Sequence, residues 1–90
     1  MFFYTYVLQS LKDHDHYIGY TQDLRKRFAE HQQGKNFSTS FRLPVQLIYY
    51  EAGLDERDAR QREKYLKTTA GRRFLAKRLR CFQGAPLHLE

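Results

Sequence analysis

Cysteine is almost absent from this 90-residue sequence, which contains Cys81 alone. A single cysteine excludes an internal disulfide and a cysteine-based zinc site. The four histidines lack the spacing of metal ligands, because His14 and His16 fall in a predicted turn and His88 lies in the C-terminal tail. Small folds held together by disulfides or by zinc are therefore excluded.

Long apolar runs are also absent. No stretch approaches the ~20 apolar residues that a membrane-spanning helix needs, and the N-terminus has no signal-peptide pattern. We therefore expect a cytoplasmic protein with no membrane partner. Ninety residues allow only one core. We predict one domain over residues 1–82 and a flexible tail over residues 83–90, whose last two residues are either native or added.

Aromatic and basic residues are plentiful. Apolar residues make up 41% of the chain and aromatic residues 16%, which suffices for one modest core. The net charge of +6 is uneven, because residues 57–80 hold ten basic and two acidic residues, whereas the remainder holds six basic and eight acidic. This asymmetry fits a partner with repeated negative charge, such as nucleic acid, and equally fits a solvated pair of basic helices.

Turn residues divide the chain into six predicted elements. Short aromatic and β-branched runs predict strands over residues 2–9, 16–21 and 45–51, and periodic segments with caps predict helices over residues 23–33, 55–67 and 72–80. Thr21 or Asp23 can cap the first helix, and Gly34 can end it. The order β-β-α-β-α-α predicts an α/β (α+β) fold, in which a three-stranded, mainly antiparallel sheet is flanked by helices.

The first predicted helix carries a charge beside its apolar face. Leu24, Phe28 and His31 share one face at helical spacing, and Arg27 lies next to them. A guanidinium at the margin of a core is either paired or directed at an anion.

The second predicted helix carries a carboxylate where an apolar residue is expected. Ala59, Glu63 and Leu66 share one face of this helix. Burying an unpaired carboxylate is costly, so Glu63 needs a cationic or a metal partner. An internal ion pair between Glu63 and Arg27 is the structural alternative to a functional site.

Tyrosines and one glycine distinguish the first two strands. Tyr4 and Tyr6 share one face of the first strand, and Tyr17 and Gly19 share one face of the second. Tyrosine in a strand is usually half-buried, with a hydrated hydroxyl. Gly19 weakens a short strand and indicates the close approach of another backbone or of a ligand.

These residues form a pattern that resembles the GIY-YIG nuclease family, in particular its short bacterial members. Residues 4–6 (YTY) and 17–19 (YIG) resemble the two half-motifs that name the family. Residues 23–27 (DLRKR) resemble the run that follows the second half-motif in the excinuclease members of the family. Residues 59–63 (ARQRE) are similar to the helix that carries the family's metal-binding glutamate. The resemblance covers residues 2–80, nearly the whole chain.

The resemblance implies a fold, a metal and a reaction. It implies a three-stranded sheet flanked by helices, one divalent ion, usually Mg²⁺ (or Mn²⁺), and hydrolysis of a phosphodiester bond. By motif position, it makes Tyr6 and Tyr17 the catalytic tyrosines, Arg27 the phosphate clamp and Glu63 the metal ligand, and it puts His31 where some relatives have a histidine near the site.

The chemistry of these residues agrees with that reaction. Glu63 can hold one Mg²⁺ whose other positions are filled by water, and Arg27 can grip phosphate oxygens through two parallel hydrogen bonds. We assign Tyr6 to orient or deprotonate the attacking water and Tyr17 to position the phosphate, although the two roles could be exchanged. Seven further residues are predicted to contact nucleic acid, namely Tyr20, Lys26, Lys35, Arg62, Lys67, Arg72 and Arg73.

We therefore predict a metal-dependent endonuclease that acts on DNA, directed by structure rather than by sequence, in DNA repair or processing. RNA is not distinguished from DNA at this level. The alternatives are a non-catalytic nucleic-acid-binding module and a nuclease-like interaction domain that docks onto larger repair proteins. The carboxylate of Glu63 on an apolar face favours the enzyme, because a binding module has no need of it.

Overall fold

A computed structural model describes residues 1–82 of the chain, and the tail predicted over residues 83–90 lies outside the described residues. The strands are β1 (Phe3–Ser10), β2 (His16–Thr21) and β3 (Val45–Gly53), and the helices are α1 (Leu24–Gln32), α2 (Glu56–Leu66) and α3 (Thr69–Arg78). Their order is the predicted one. No helix among the described residues has the length and apolar character needed to cross a membrane.

The three strands form one antiparallel sheet in the order β2-β1-β3, so β1 is central and β2 is an edge strand. This arrangement confirms the predicted fold class. Tyr6 of β1 pairs with Gly19 of β2, and Leu8 pairs with Tyr17. Because directly paired residues project to the same side of a sheet, these four positions share one face.

Helices cover both faces of this sheet. On one face, α1 packs Leu24 and Phe28 against the cluster that contains Tyr6. On the other face, Leu66 of α2 and Leu75 of α3 are almost fully buried against β1 and β2. Each fully buried leucine contributes roughly 1.5–3 kcal/mol of stability relative to an exposed one. The sheet therefore holds α1 and α2 on opposite sides of the same edge strand.

Both ends of α1 are closed by specific hydrogen bonds. The Asp23 carboxylate accepts one from a first-turn backbone N–H at 3.1 Å. At the other end Gly34 adopts a left-handed φ of 77°, as predicted for a helix stop. The N–H groups of Gly34 and Lys35 donate to the carbonyls of His31 and Glu30, each at 3.0 Å. This closure fixes His31 in the last turn of α1.

The last helix begins earlier than the sequence predicted. The predicted start was Arg72, because Gly71 indicated a break, but α3 begins at Thr69. The Thr68 hydroxyl caps the helix by accepting a hydrogen bond from the Gly71 N–H at 3.1 Å. A side chain at Gly71 would collide with the Tyr65 carbonyl oxygen. The glycine therefore permits the close turn between α2 and α3 and does not end a helix.

Gly19 allows a close approach within the sheet. A Cβ atom at this position would lie 2.5 Å from both the Cζ atom and the hydroxyl oxygen of Tyr6. The group that approaches Gly19 is therefore a side chain from the neighbouring strand, where the sequence had indicated a backbone or a ligand.

Gly19→Ala is expected to lower the free energy of unfolding by about 1–3 kcal/mol, because the added methyl group displaces the buried Tyr6 ring. Gly53→Ala is the matched control, since Gly53 is also in a strand and has nothing within 4 Å of an added Cβ. Chemical denaturation of both variants measures the difference. Equal stability of the two variants would contradict this account of the packing.

Candidate active site

A cleft of about 550 Å³ opens beside the edge strand β2. Its walls include Tyr17 and Tyr20 of β2, Arg27 of α1 and Glu63 of α2. Helices on opposite faces of the sheet both reach this cleft because β2 has no further strand beside it. Three of the four residues that the sequence predicted to share a site thus line one cleft, although they come from three separate elements.

Arg27 is held at the cleft wall by two groups. Its Nε donates a hydrogen bond to the Glu30 carboxylate at 3.2 Å, and its Nη1 donates to the Tyr20 backbone carbonyl at 3.4 Å. The side chain remains 38% exposed. The guanidinium is therefore oriented by α1 and β2 while it stays accessible from the cleft.

Glu63 has a cationic partner, but that partner is not Arg27. The Lys67 ammonium, four residues further along α2, donates to the Glu63 carboxylate at 3.2 Å. Because Arg27 pairs with Glu30 instead, the internal Glu63–Arg27 ion pair that was the structural alternative is not formed. The Glu63 side chain is 22% exposed, so its carboxylate is accessible from the cleft.

A buried chain of hydrogen bonds links Tyr6, His31 and Thr39, none of which has any exposed surface. The Tyr6 hydroxyl lies 2.9 Å from His31 Nε2, and His31 Nδ1 lies 2.7 Å from Thr39 Oγ1. The Thr39 hydroxyl itself donates to the Asn36 carbonyl at 3.5 Å. Every proton finds an acceptor if Tyr6 donates to Nε2 and Nδ1–H donates to Thr39. We therefore assign the neutral Nδ1–H tautomer to His31.

Burial keeps this chain of groups uncharged. It raises the pKa of the Tyr6 hydroxyl to about 12, an effect that the neighbouring Tyr17 hydroxyl strengthens and the Arg27 guanidinium opposes. Burial, followed by the positive charge of Arg27, lowers the pKa of His31. At neutral pH, Tyr6 is therefore a hydrogen-bond donor and His31 an acceptor at Nε2.

Tyr6 and His31 do not line the cleft but pack behind Tyr17. The ring centroid of Tyr17 lies 5.1 Å from that of His31 and 6.3 Å from that of Tyr6. Tyr17 is half-buried and forms part of the cleft wall. Of the two tyrosines assigned to catalysis, Tyr17 is thus the one that substrate can reach directly.

The residues predicted to contact nucleic acid are divided among several places. Tyr20 and Lys26 line the cleft. Lys67 and Arg72 line a neighbouring hollow of about 380 Å³, which shares Tyr17 with the cleft. The other exposed members of the predicted set are Lys35 and Arg73.

Arg62 is the exception and lies away from the cleft. Its guanidinium donates to both carboxylate oxygens of Glu51 on β3, at 3.0–3.1 Å, and stacks 4.4 Å from the centroid of the Phe74 ring. Since β3 is the strand at the opposite edge from β2, Arg62 packs α2 onto the far side of the sheet. Its predicted contact with nucleic acid is not supported by this position.

Arg60 and Thr39 are among the residues at the site that were missed in the sequence. Arg60 lines the cleft, with its guanidinium carbon 4.2 Å from the centroid of the Tyr20 ring. Its spacing of three residues from Glu63 on one helix face could have identified it. Thr39 had no such signal, because its contact with His31 depends on the path of an irregular segment between α1 and β3.

The cleft fits a divalent ion held by a single carboxylate. Within residues 1–82, no three or more His, Cys, Asp or Glu side chains group as metal ligands. Asp23 caps α1, and Glu30 and Glu63 each form an ion pair, Glu30 with Arg27 and Glu63 with Lys67. Glu63 is the one of these carboxylates that the family resemblance makes a metal ligand, and it lines the cleft. Mg²⁺ keeps several waters and is commonly held by one or two carboxylates. One accessible carboxylate in an open cleft therefore suits this ion.

Comparison with known proteins identifies the family. The profile of the GIY-YIG catalytic domain matches residues 2–78, so the chain belongs to the GIY-YIG family, a nuclease superfamily. The solution structure of the UPF0213 protein BH0048 from Bacillus halodurans has a similar fold, with a TM-score of 0.53 and 30% sequence identity over 86% of this chain and 84% of that one. The predicted resemblance to small members of the family is confirmed.

Several curated relatives are UPF0213 proteins of streptococci. One from Streptococcus pneumoniae serotype 4 is 45% identical over 65 residues, which cover 71% of this chain and 65% of the relative. Another, from Streptococcus pyogenes serotype M3, is 49% identical over 57 residues, which cover 62% of this chain and 60% of the relative. The chain spans slightly less than two thirds of the length of these relatives.

The pKa of His31 should be measurable by NMR as a titration midpoint below about 6.5, the usual value for histidine, because burial disfavours the imidazolium. His31 then binds a proton more readily in the unfolded chain than in the folded one. Its contribution to the free energy of unfolding is therefore fully present above about pH 6.5 and is lost as the pH is lowered. His16, whose pKa burial also lowers, acts in the same direction.

Tyr6→Phe should raise the His31 midpoint, because it removes the O–H group that stabilises the neutral ring. The same resonance in urea-unfolded protein provides the reference. A native midpoint at or above the unfolded one would contradict the assignment of a buried, neutral His31.

Proposed function

We propose that this chain is a metal-dependent endonuclease that hydrolyses phosphodiester bonds in DNA. Membership of the GIY-YIG family supports the nuclease class. The observation that carries the proposal is the convergence of Tyr17, Arg27 and Glu63 on one cleft from β2, α1 and α2. These are a hydroxyl, a guanidinium and a carboxylate, which hydrolysis of a phosphodiester can use to orient water, neutralise charge and hold a metal ion.

Arg27 neutralises the phosphate that is attacked. Its guanidinium is oriented by Glu30 and by the Tyr20 carbonyl, so little side-chain freedom remains to be lost on binding. A guanidinium can grip two phosphate oxygens at once, and the charge on those oxygens grows as the reaction proceeds. Arg27 therefore binds the substrate and stabilises the transition state.

Tyr17 orients the attacking water or the phosphate, and Tyr6 positions Tyr17. From the sequence, Tyr6 was assigned to the attacking water and Tyr17 to the phosphate, with the two roles interchangeable. We now give the direct contact with water or phosphate to Tyr17. The Tyr6 hydroxyl is fully buried and hydrogen-bonded to His31, and its pKa is raised to about 12. It is therefore poorly suited to accept a proton from water. The Tyr17 ring packs against both buried groups while it faces the cleft.

Glu63 would hold the metal ion, Mg²⁺ or Mn²⁺. A bound divalent ion would supply positive charge to offset that of the phosphate and would make water more acidic. The Lys67 ammonium, now 3.2 Å from Glu63, leaves this carboxylate and can turn to a phosphate in the adjoining hollow. The ion pair is partly exposed, so breaking it costs little.

The surroundings of the cleft suit the sugar–phosphate backbone. Lys26 and Arg60 line the cleft itself, and Arg72 lines the adjoining hollow. Such side chains contact phosphates without reading base sequence. We therefore infer an enzyme that recognises the shape of its substrate. The family resemblance adds the proposals that it acts in DNA repair or processing, with larger repair proteins as partners, and that it works in the cytoplasm.

A non-catalytic nucleic-acid-binding module is the second candidate. It is favoured by the internal ion pairs, because Arg27 and Glu63 each already have a partner of opposite charge in the cleft wall. Such a module would use the basic surface and the tyrosines to hold nucleic acid without cleaving it. The two candidates differ in whether removal of the Glu63 charge alters a reaction.

Glu63→Gln is expected to lower cleavage by about 100-fold or more while it leaves the fold and the binding of DNA intact. The amide keeps the size of the side chain but loses the charge that holds the metal. Charge stabilisation by a metal lowers the activation free energy by several kcal/mol, and about 1.4 kcal/mol corresponds to a tenfold change in rate. The measurement is nicking of supercoiled and branched DNA with Mg²⁺, with Mn²⁺ and with a chelator.

Asp58→Asn provides the control for this experiment. Asp58 is an exposed carboxylate on the same helix, but it does not line the cleft. Its variant should cleave at nearly the wild-type rate. Equal activity of wild type and Glu63→Gln would make the glutamate structural, and wild type that binds but never cleaves would favour the binding module.

A further inference from the structure

An aromatic hollow of about 480 Å³ lies beside the cleft. Tyr4, Phe28 and Tyr50 form its aromatic walls, and Gln22 and Arg25 contribute polar groups at its margin. Tyr4 belongs to the first half-motif, but none of the three rings lines the cleft or has a part in its proposed chemistry. The hollow is therefore a feature of this chain for which the cleavage reaction alone gives no reason.

The aromatic hollow exists because α1 does not cover the whole of the sheet face on which it packs. Tyr4 of β1 and Tyr50 of β3 project there, with ring centroids 5.9 Å apart and planes inclined by 61°. Tyr50 is 53% exposed even though it is a large side chain next to the core. Tyr4 and Phe28 are half-buried, so all three rings present some surface to the concavity, as in many binding sites.

The aromatic hollow adjoins the candidate active site. Gln22 and Asp23, which join β2 to α1, line both the hollow and the cleft. Arg25 stands at the hollow, and the next residue, Lys26, stands at the cleft. A ligand that fills both therefore has a planar or apolar part adjoining a negatively charged part, which is the construction of a nucleotide.

We propose that the aromatic hollow receives an unpaired nucleobase of the strand whose phosphodiester lies in the cleft, an inference that rests on the proposed function. Aromatic rings stack on any base, and the Gln22 amide and Arg25 guanidinium can meet different base edges. A base within a continuous duplex is stacked and paired, so it reaches the hollow only after flipping out at a cost. The chain accordingly selects DNA that has single-stranded or branched regions.

The test compares two single-stranded oligonucleotides of equal length, one with bases and one with abasic sugars, at one fixed salt concentration. Wild type should bind the strand with bases about ten-fold more tightly, because a base stacked on an aromatic side chain contributes roughly that factor. Tyr50→Ala should bind both strands equally, at the affinity that wild type has for the abasic strand. Tyr50→Phe should retain the preference, since stacking needs the ring and not the hydroxyl.

Phe41→Ala is the matched control, because Phe41 is 70% exposed and forms an edge contact with Phe37 but does not line the hollow. It should keep the wild-type preference for bases. A preference that survives in Tyr50→Ala, or that is lost equally in Phe41→Ala, overturns the proposal. So does a wild type that binds both strands alike, which is the result expected if the hollow docks another protein.

Arg27→Ala separates this inference from the proposed function. If the cleft binds phosphate, Arg27→Ala weakens binding of both strands by a similar factor and leaves the preference for bases intact. If Arg27→Ala binds like wild type while Tyr50→Ala loses the preference, the proposed role of the cleft fails and the base-binding hollow stands.

Discussion

The contact between the Tyr6 ring and Gly19 determines where the other residues of the site lie. The two residues pair across β1 and β2, and the ring occupies the space that a side chain at position 19 would need. In this position the Tyr6 hydroxyl meets His31 in the last turn of α1. One side chain thus connects two strands and a helix, and Arg27, one turn before His31, is brought to the edge of the sheet.

The edge strand explains how a small domain builds a site from both of its faces. Because β2 has a neighbour on one side only, α1 and α2 can extend side chains past it from opposite layers. The acids and bases that meet there form partly exposed pairs, Arg27 with Glu30 and Glu63 with Lys67. Such pairs contribute roughly 0–1 kcal/mol each, so opening the pair between Glu63 and Lys67 costs little.

Much of the fold could be predicted because each signal was local. Capping by Asp23, the stop at Gly34 and the alternation in the strands all act within a few residues, and the elements they define were found within about two residues of their observed ends. Gly71 failed as a guide because its role depends on how α3 packs against the preceding helix. It makes room for the end of α2, and nothing in the local pattern separates that from a helix break.

The site was harder to predict because it depends on register and on which strand forms the edge. Alternation puts Tyr6 and Tyr17 on definite faces of their own strands, but only the pairing of the strands and the position of α1 decide which ring is buried. Arg60 and Arg62 both carry charge on α2. Only the position of β2 decides that Arg60 faces the cleft while Arg62 binds Glu51 on the far side.

We propose that one phosphate group of DNA lies between Tyr17, Arg27 and Glu63. A structure of the Glu63→Gln variant bound to a short branched DNA, in which cleavage is suppressed and binding is retained, tests this position. We expect a phosphate within hydrogen-bond reach of both the Arg27 guanidinium and the Tyr17 hydroxyl, beside the position-63 side chain. A complex in which DNA lies only along the basic surface of α3, with no phosphate in the cleft, would contradict it.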